Sequence, residues 1–433
     1  MTEPSAGAGV DQDGVRAVAL AGLAMLATFP GRSHGVSLLT EPLVEELGLT
    51  RPELSRWNFL AILIGVTLCV PIGRALDRFR PAPVLALTLA LLAVATLGLS
   101  LVTGALSLLI ALTAVRGLGQ SGLSVLAIAL PGKWYRRRLP LAMAGFATIT
   151  LVGTALALGL TKGVMGALGW RVAWRGIAVG LLVLAVIQLR WLPDPPARPG
   201  DVAGTSGTEP DSGLSAGAEA PSVDFFEAVQ SRAFLAFSLG FAIFNAASSG
   251  LLLFLENLLA ERGEDLAASF GLVLICNVLG LLAGQLLAGR MREAGANPGA
   301  ATPALAAVAV GLGLLARGRS LAVIAPAAAL IGLAAGRLLV LFFSFYGARF
   351  GRRELGRIQG LAQVLNVLAS ATGPVIVASA RVRLGSYGPV LDGFAVALLV
   401  CAGLTWLARD SNPPSVQSAT PSQTVVESDS GPG

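Results

Sequence analysis

The sequence predicts an all-α membrane protein of twelve transmembrane helices arranged as two pseudo-symmetric six-helix bundles. Three observations carry that expectation. Only 13% of the 433 residues are charged and 54% are hydrophobic, with mean hydropathy +0.74; a soluble domain holds about 25% charged residues. Apolar runs of roughly 18 residues or more recur along the whole chain, each long enough to cross a hydrocarbon core of about 30 Å as a helix. Short internal similarities then relate the two halves at nearly constant offsets.

The predicted spans run over 15–39, 55–74, 82–103, 106–130, 139–162, 171–192, 230–258, 267–289, 300–316, 320–346, 355–380 and 387–408. They divide the chain into an N-terminal segment (1–14), a first bundle (15–192), a linker (193–229), a second bundle (230–409) and a tail (410–433). The linker contains "PDPPARPGDVAGTSGTEPDSGLSAGAEAPS", a Pro-, Gly- and Ser-rich composition with too little apolar surface to order itself, and the tail is similar. The first apolar run is too long for the core of a cleavable signal peptide.

Composition also excludes function classes. Cys69, Cys276 and Cys401 lie in three different apolar runs, so neither disulfide nor metal spacing is present. There is no phosphate loop and no nucleophile–base pair, and neither an enzyme nor a cofactor is expected. The net charge of +6 comes from short basic runs between apolar segments, where topology signals belong, and not from a nucleic-acid-binding face. With both termini inside, 18 of the 31 basic residues fall on the cytoplasmic side and 10 outside. That bias predicts cytoplasmic N- and C-termini. Arginine outnumbers lysine 29 to 2, the bias of a GC-rich bacterial genome, so the expected location is a cell inner membrane.

The internal similarities fall in order. "TAVRGLG" (113–119) in span four matches "LAAGRLLV" (333–340) in span ten, placing Arg116 opposite Arg337 at an offset of 221. "DRFR" (77–80) matches "GRMR" (289–292) at 212, and "RRR" (136–138) matches "RRE" (352–354) at 216. Two repeated halves are the build of many secondary transporters, whose substrate site lies near the bilayer midplane between them.

From about 15 to 408 the sequence resembles the major facilitator superfamily. "GRALDRFR" after span two is similar to that family's signature loop, with Gly73, Asp77 and Arg78 in place. The resemblance implies a gate: Gly73 lets two helices approach, while Asp77 caps a neighbouring helix and pairs with arginines to hold the cytoplasmic side shut. Arg80 and Pro81 depart from the family pattern, and the second copy has Gly289 where the first has Asp77. Within the superfamily the sequence resembles monocarboxylate porters and oxalate/formate exchangers. That likeness rests on "FPGRSHG" in span one, "PGKWYRRRLPLAMAG" (131–145), "GWR" (169–171), "RFGRRELGRIQG" and "ATGPVIVASARVRLGSYGPV". "KWYRRR" reads as a topology-setting basic cluster. The Gly-Pro motif that drug/proton antiporters carry in span five is absent from "AGFATITLVGTALALG".

Three arginines lie inside predicted spans, where each costs roughly 2.5–3.5 kcal/mol on insertion scales unless it faces a cavity or a partner. At 1.5 Å per residue, Arg116 falls near the midplane, Arg32 in the outer half of span one and Arg337 in the inner half of span ten. The resemblance implies that spans one, four, seven and ten line a central cavity, so all three sit on cavity helices. Arg32 is expected to contact substrate or coupling ion, against the alternative of a snorkelling side chain. Arg116, with Gln120 one turn on, is either a structural hub or a coupling residue. Arg337 either grips an anion together with Arg32 or pairs with the backbone at the inner gate. His34, the only histidine, is a helix-contact residue or a proton relay, and "PG" at 30–31 is expected to loosen the helix beside it.

Asn245, Asn277, Gln363 and Asn366 complete the expected substrate-binding set, each alternatively a helix–helix hydrogen bond. Span eight lacks the arginine and acid, and span eleven the lysine, that the resembled porters use. The expectation is a secondary transporter that moves a small organic anion, a mono- or dicarboxylate, as a monomer in the bilayer, by exchange or proton-coupled symport. The alternatives are an exporter of amphiphilic compounds and a non-transporting membrane sensor.

Overall fold

The computed structural model describes residues 6–135, 139–195, 223–290 and 296–410, and all regular structure within them is helical. Among the described residues, twelve helices are long and apolar enough to cross a membrane. They are Gln12–Ser37, Arg51–Arg78, Pro81–Leu99, Ala105–Trp134, Leu139–Leu168, Trp170–Trp191, Arg232–Ala260, Phe270–Gly289, Pro298–Arg317, Leu321–Phe350, Leu355–Leu384 and Gly388–Asp410. Each lies on a predicted run, and they are called spans one to twelve below. Spans two, four, five and ten continue several residues past their apolar runs, because backbone hydrogen bonding and capping set a helix end, not hydrophobicity. Span two begins at a reciprocal capping box: Glu53 N–H donates to Thr50 Oγ1 at 3.4 Å, and Thr50 N–H donates to Glu53 Oε2 at 2.8 Å. Span eleven ends at Gly385, whose φ of 74° is left-handed backbone that glycine adopts without strain.

Most of the expected linker (through 222) and the tail beyond Asp410 lie outside the described residues, as do Arg136, Arg137, Arg138 and Arg292. The end of the linker departs from expectation, since Phe225–Gln230 form a helix. Its Phe225 N–H donates to Glu354 Oε2 at 2.8 Å, and the Arg357 guanidinium lies 4.3 Å from the Phe225 ring centroid. A composition-based reading averages over the segment and misses these last few anchored residues.

The two halves are built differently. In the second half, spans eight and ten touch backbone to backbone. A Cβ on Gly280, Gly284, Gly332 or Gly336 would collide with a main-chain oxygen of the facing helix, a small-residue interface suited to packing within lipid. Spans seven and ten are joined by stacked aromatics, Phe237 on Phe345 at 4.1 Å and Phe241 on Phe342 at 4.0 Å between centroids. The first half is interrupted instead. Span one breaks into a 3-10 turn at Phe29–Gly31, as the "PG" predicts, and span two has a 3-10 turn at Val66–Leu68. Span four carries a π-helical stretch at Arg116–Leu123.

With twelve crossings, Gln12 and Asp410 lie on the same side, called the terminal side below; the other is the distal side. The halves close on the terminal side through spans two and eleven. A Cβ on Gly73 would strike the Gly356 carbonyl, and one on Gly356 would strike that of Gly73. Asp77 then caps span eleven from the opposite half. Its Oδ1 accepts from Gly356 N–H and its Oδ2 from Arg357 N–H, both at 2.9 Å. Lys133 completes the latch, with Nζ 3.2 Å from Asp77 Oδ1 and 3.0 Å from Leu76 O. The charge partner is therefore a lysine from the "KWYRRR" cluster and not an arginine, and exposed Arg78 stays outside the latch, 6.0 Å from the Phe79 ring. At the place of the second copy, a Cβ on Gly289 would lie 2.7 Å from Ala144 Cβ of span five, and among the described residues no acid takes part.

On the distal side the first half is tied by Glu46. Its Oε1 accepts the Trp170 indole N–H at 2.6 Å and its Oε2 accepts from Arg171 Nη2 at 2.7 Å. The Trp170 hydrogen bond above all, with Arg171 beside it, holds the Glu46 carboxyl below its usual range. A depressed pKa contributes stability above the unfolded value, near 4.3 for glutamate, and loses it as pH falls through the folded one. Melting temperature in detergent is therefore expected to fall as pH drops below about 4.3, less steeply in Glu46→Gln. The latch makes a second prediction. Cys69 is fully buried against Gly360 of span eleven. Gly73→Val in a Cys276→Ala, Cys401→Ala background is expected to raise the maleimide-labelling rate of Cys69 about tenfold, a shift of roughly 1.4 kcal/mol toward the opened gate.

Candidate functional site

The interruptions of spans one, two and four meet at one place in the first half. A Cβ on Gly31 would run into the Val115 carbonyl, and one on Gly65 would lie 2.7 Å from Gly117 N. Glycines at the breaks thus let three backbones converge, and the π stretch redirects the side chains that follow it. Arg116, Gln120 and Ser124, spaced four apart in sequence, fall within this stretch and just beyond it.

Arg116 is 1% exposed and fully engaged. Its Nε and Nη2 donate to Asn58 Oδ1 at 3.0 and 2.6 Å. Its Nη1 donates to Gln120 Oε1 at 2.7 Å, to Gly31 O at 3.1 Å and to Ser33 Oγ at 3.4 Å. The guanidinium stitches spans one, two and four together, which is the structural-hub reading. Every acceptor is neutral, and among the described residues no carboxylate pairs with it.

Arg32 is half-buried and differently placed. Its Nε donates to Thr28 Oγ1 at 2.8 Å, while Nη2 reaches Ser124 Oγ at 3.2 Å and Met25 Sδ at 3.5 Å. Nη1 has no partner among the described residues and is not sealed from solvent. Ser33 beside it is exposed. Arg32 thus offers an open fork to a ligand, and Arg116 adds a fixed positive charge behind it. His34 lies with its ring 5.6 Å from that of Phe29, and its Nε2 is buried without a partner.

The second half contributes amides. Gln363, 3% exposed, donates from Nε2 to Gln120 O at 3.5 Å, a bond that crosses between the halves. Asn245 Nδ2 donates to Asn366 O at 3.0 Å, joining spans seven and eleven. Asn277 Nδ2 is held by Ala328 O of span ten at 3.0 Å.

Of the expected residues, the structure brings together Arg32, Arg116, Gln120 and Gln363, with Asn245 and Asn366 paired across the neighbouring helices. It does not bring Arg337 to them. Arg337 Nη2 donates to Ala300 O at the start of span nine, 3.1 Å away. The cause is register. Gly336 packs on Leu281 of span eight, and the next residue, about 100° around the helix, turns toward span nine. A two-sided arginine grip is therefore not formed, and the backbone pairing is. Sequence reasoning missed Asn58, Thr28, Ser124 and Lys133. Ser124 was legible as the third member of the i, i+4, i+8 series with Arg116 and Gln120, and Asn58 as a lone amide in "NFLAILIG".

Comparison with known proteins agrees with this architecture. A family model described as Major Facilitator Superfamily matches residues 20–374. The crystal structure of the human organic anion transporter MFSD10 (TETRAN) superposes with a TM-score of 0.64 at 20% identity, covering 92% of this chain and 98% of that one. A likeness at that identity shows the fold. No curated protein matches the sequence significantly.

The two arginines should separate in stability. Arg116→Lys leaves half-buried Asn58 or Gln120 without its donor and is expected to cost about 2 kcal/mol. Arg32→Lys, at an open site, should cost less than about 1 kcal/mol. Denaturation of the purified variants in detergent measures both.

Proposed function

The chain belongs to the major facilitator superfamily, and from that premise we propose that this transporter carries a small organic anion, a mono- or dicarboxylate, across a bacterial inner membrane with both termini cytoplasmic. One observation carries the substrate class: Arg32 keeps an open Nη1 on the same span whose Gly31 carbonyl and Ser33 hydroxyl receive Arg116, and no described carboxylate balances either charge. Burying positive charge without a counter-ion is costly, and an arriving carboxylate relieves it. The structurally similar MFSD10 is itself an organic anion transporter, which supports the same reading.

In this reading the structure is the state closed on the terminal side. The anion enters from the distal side, docks on Arg32 with Ser33 beside it, and is screened into place by the field of Arg116. The Asp77 latch then opens as the distal side closes. Among the described residues, spans one, two and four hold no acid near the arginines that would carry a coupled proton. An empty site must cross with its charges unbalanced, whereas a loaded site crosses nearly neutral. That difference favours exchange over return of the empty carrier.

Counterflow in proteoliposomes tests the proposal. Vesicles preloaded with an unlabelled carboxylate are expected to accumulate labelled carboxylate at least about tenfold faster than empty ones, and Arg32→Ala should abolish the difference. Equal uptake by loaded and empty vesicles removes the exchange reading; carboxylate uptake untouched by Arg32→Ala removes the assigned site.

A further inference from the structure

The two walls of the site carry different chemistry. On the first-half side stand Arg32 and Arg116. On the second-half side the polar groups next to Gln120 are neutral amides: Gln363, which meets its carbonyl, Asn366 one turn further along span eleven, and Asn245 of span seven, which donates to Asn366 O. The charged side chains that come deepest in the second half are otherwise engaged or peripheral among the described residues. Arg337 donates from Nη2 to Ala300 O on span nine, its Nε buried without a partner; Asp392 is paired with Arg317 at 2.6 Å, and exposed Glu256 is one turn from the end of span seven.

The amides on this wall are under-used. Asn245 spends Nδ2 on Asn366 O, leaving Oδ1 without a partner among the described residues and not sealed. Asn366 Oδ1 is buried and unpartnered, as is Gln363 Oε1. The orientation of Gln363 is pinned, because a flipped amide would set oxygen against the Gln120 carbonyl that Nε2 now meets. Buried polar atoms without partners are rare and call for a physical account. Here the account is a ligand group that hydrogen-bonds without carrying charge.

We infer that the transported anion is a monoanion whose far end bears a neutral hydrogen-bonding group of amide or hydroxyl type, and that Asn245, Gln363 and Asn366 read that end. The inference rests on the anion reading above and narrows it. A second carboxylate would be desolvated against Gln363 Oε1 and Asn245 Oδ1 with no cation to receive it. An alkyl tail would leave the same amides unpartnered, the situation in which a site built for hydrogen bonding discriminates most strongly.

Three acids on the same four-carbon backbone test this: butyrate with an apolar end, succinamate with a neutral amide end, and succinate with a second carboxylate. Self-counterflow of each is measured with the full-length protein in proteoliposomes. Succinamate is expected to exchange at least about tenfold faster than the other two. In Asn366→Leu and Asn245→Leu the succinamate-to-butyrate ratio falls to about one. Asn366→Lys supplies the missing cation and is expected to turn the preference toward succinate, so the idea survives an unstable leucine variant. Butyrate or succinate matching succinamate in an Arg32-dependent manner overturns the inference and leaves the anion reading intact. A succinamate preference unchanged in all three variants overturns the role of the amide wall. Exchange of none of the three acids overturns the anion reading and this inference together.

Discussion

The closed terminal side depends on one helix cap supplied from the wrong half of the molecule. Span eleven begins at Leu355 without a side-chain cap from its own N-cap residue, Glu354. Its first free N–H groups, those of Gly356 and Arg357, are satisfied by Asp77 at the end of span two. A carboxylate at a helix N-terminus meets both the unsatisfied donors and the positive end of the helix dipole. On the proposed alternation of access, that interaction is lost when the halves part, so the helix end is complete only in the closed state. Glycine at 73 and 356 allows the approach that makes it possible, and Lys133 balances the acid. Glu354, released from capping, instead pairs with Arg357 at 3.0 Å and receives Phe225 N–H. The connection between the halves is thereby fastened to the same latch.

Above the latch the halves divide the labour of binding and rigidity. The first half holds its cations in helices that are broken at the level of the site, where the backbones of Gly31, Gly65 and Gly117 meet. The second half replaces such breaks with glycine seams and stacked rings, and presents neutral amides. On the proposed function, a ligand bridging the two contacts a charged wall on interrupted helices and an uncharged wall on closely packed ones. Sequence repeats relate the halves, yet the residues that matter are not repeated: Asp77 has Gly289 as its counterpart, and Arg116 has Arg337, which serves a different helix.

What the sequence made legible follows a physical order. Hydrophobic runs gave all twelve spans, because lipid tolerates no other backbone arrangement at that length. The Pro30–Gly31 break was readable because it is local chemistry, a missing N–H, whereas the Asp77 cap was implied by the resemblance of "GRALDRFR" to a family's signature loop. The direction of Arg337 was not readable, since it depends on which face of span ten packs against span eight. Gly280, Gly284, Gly332 and Gly336 contained that information as a spacing of small residues. The sealing of Arg116 needed Asn58 from span two, a long-range contact that no spacing announces. Lys133 read as part of a topology signal because its neighbours are arginines; only the fold shows it turned inward to Asp77.

The neutral cage around Arg116 has an electrical consequence. Asn58, Gly31, Ser33 and Gln120 satisfy the guanidinium with dipoles and leave its full charge standing in the membrane interior. Moving one elementary charge across the whole field is worth about 2.3 kcal/mol per 100 mV. Any fraction of that displacement during the alternation of access makes the empty protein responsive to voltage. On the proposed function, an anion travelling beside Arg32 cancels part of that response, so the potential across the bilayer weighs differently on the loaded and unloaded molecule.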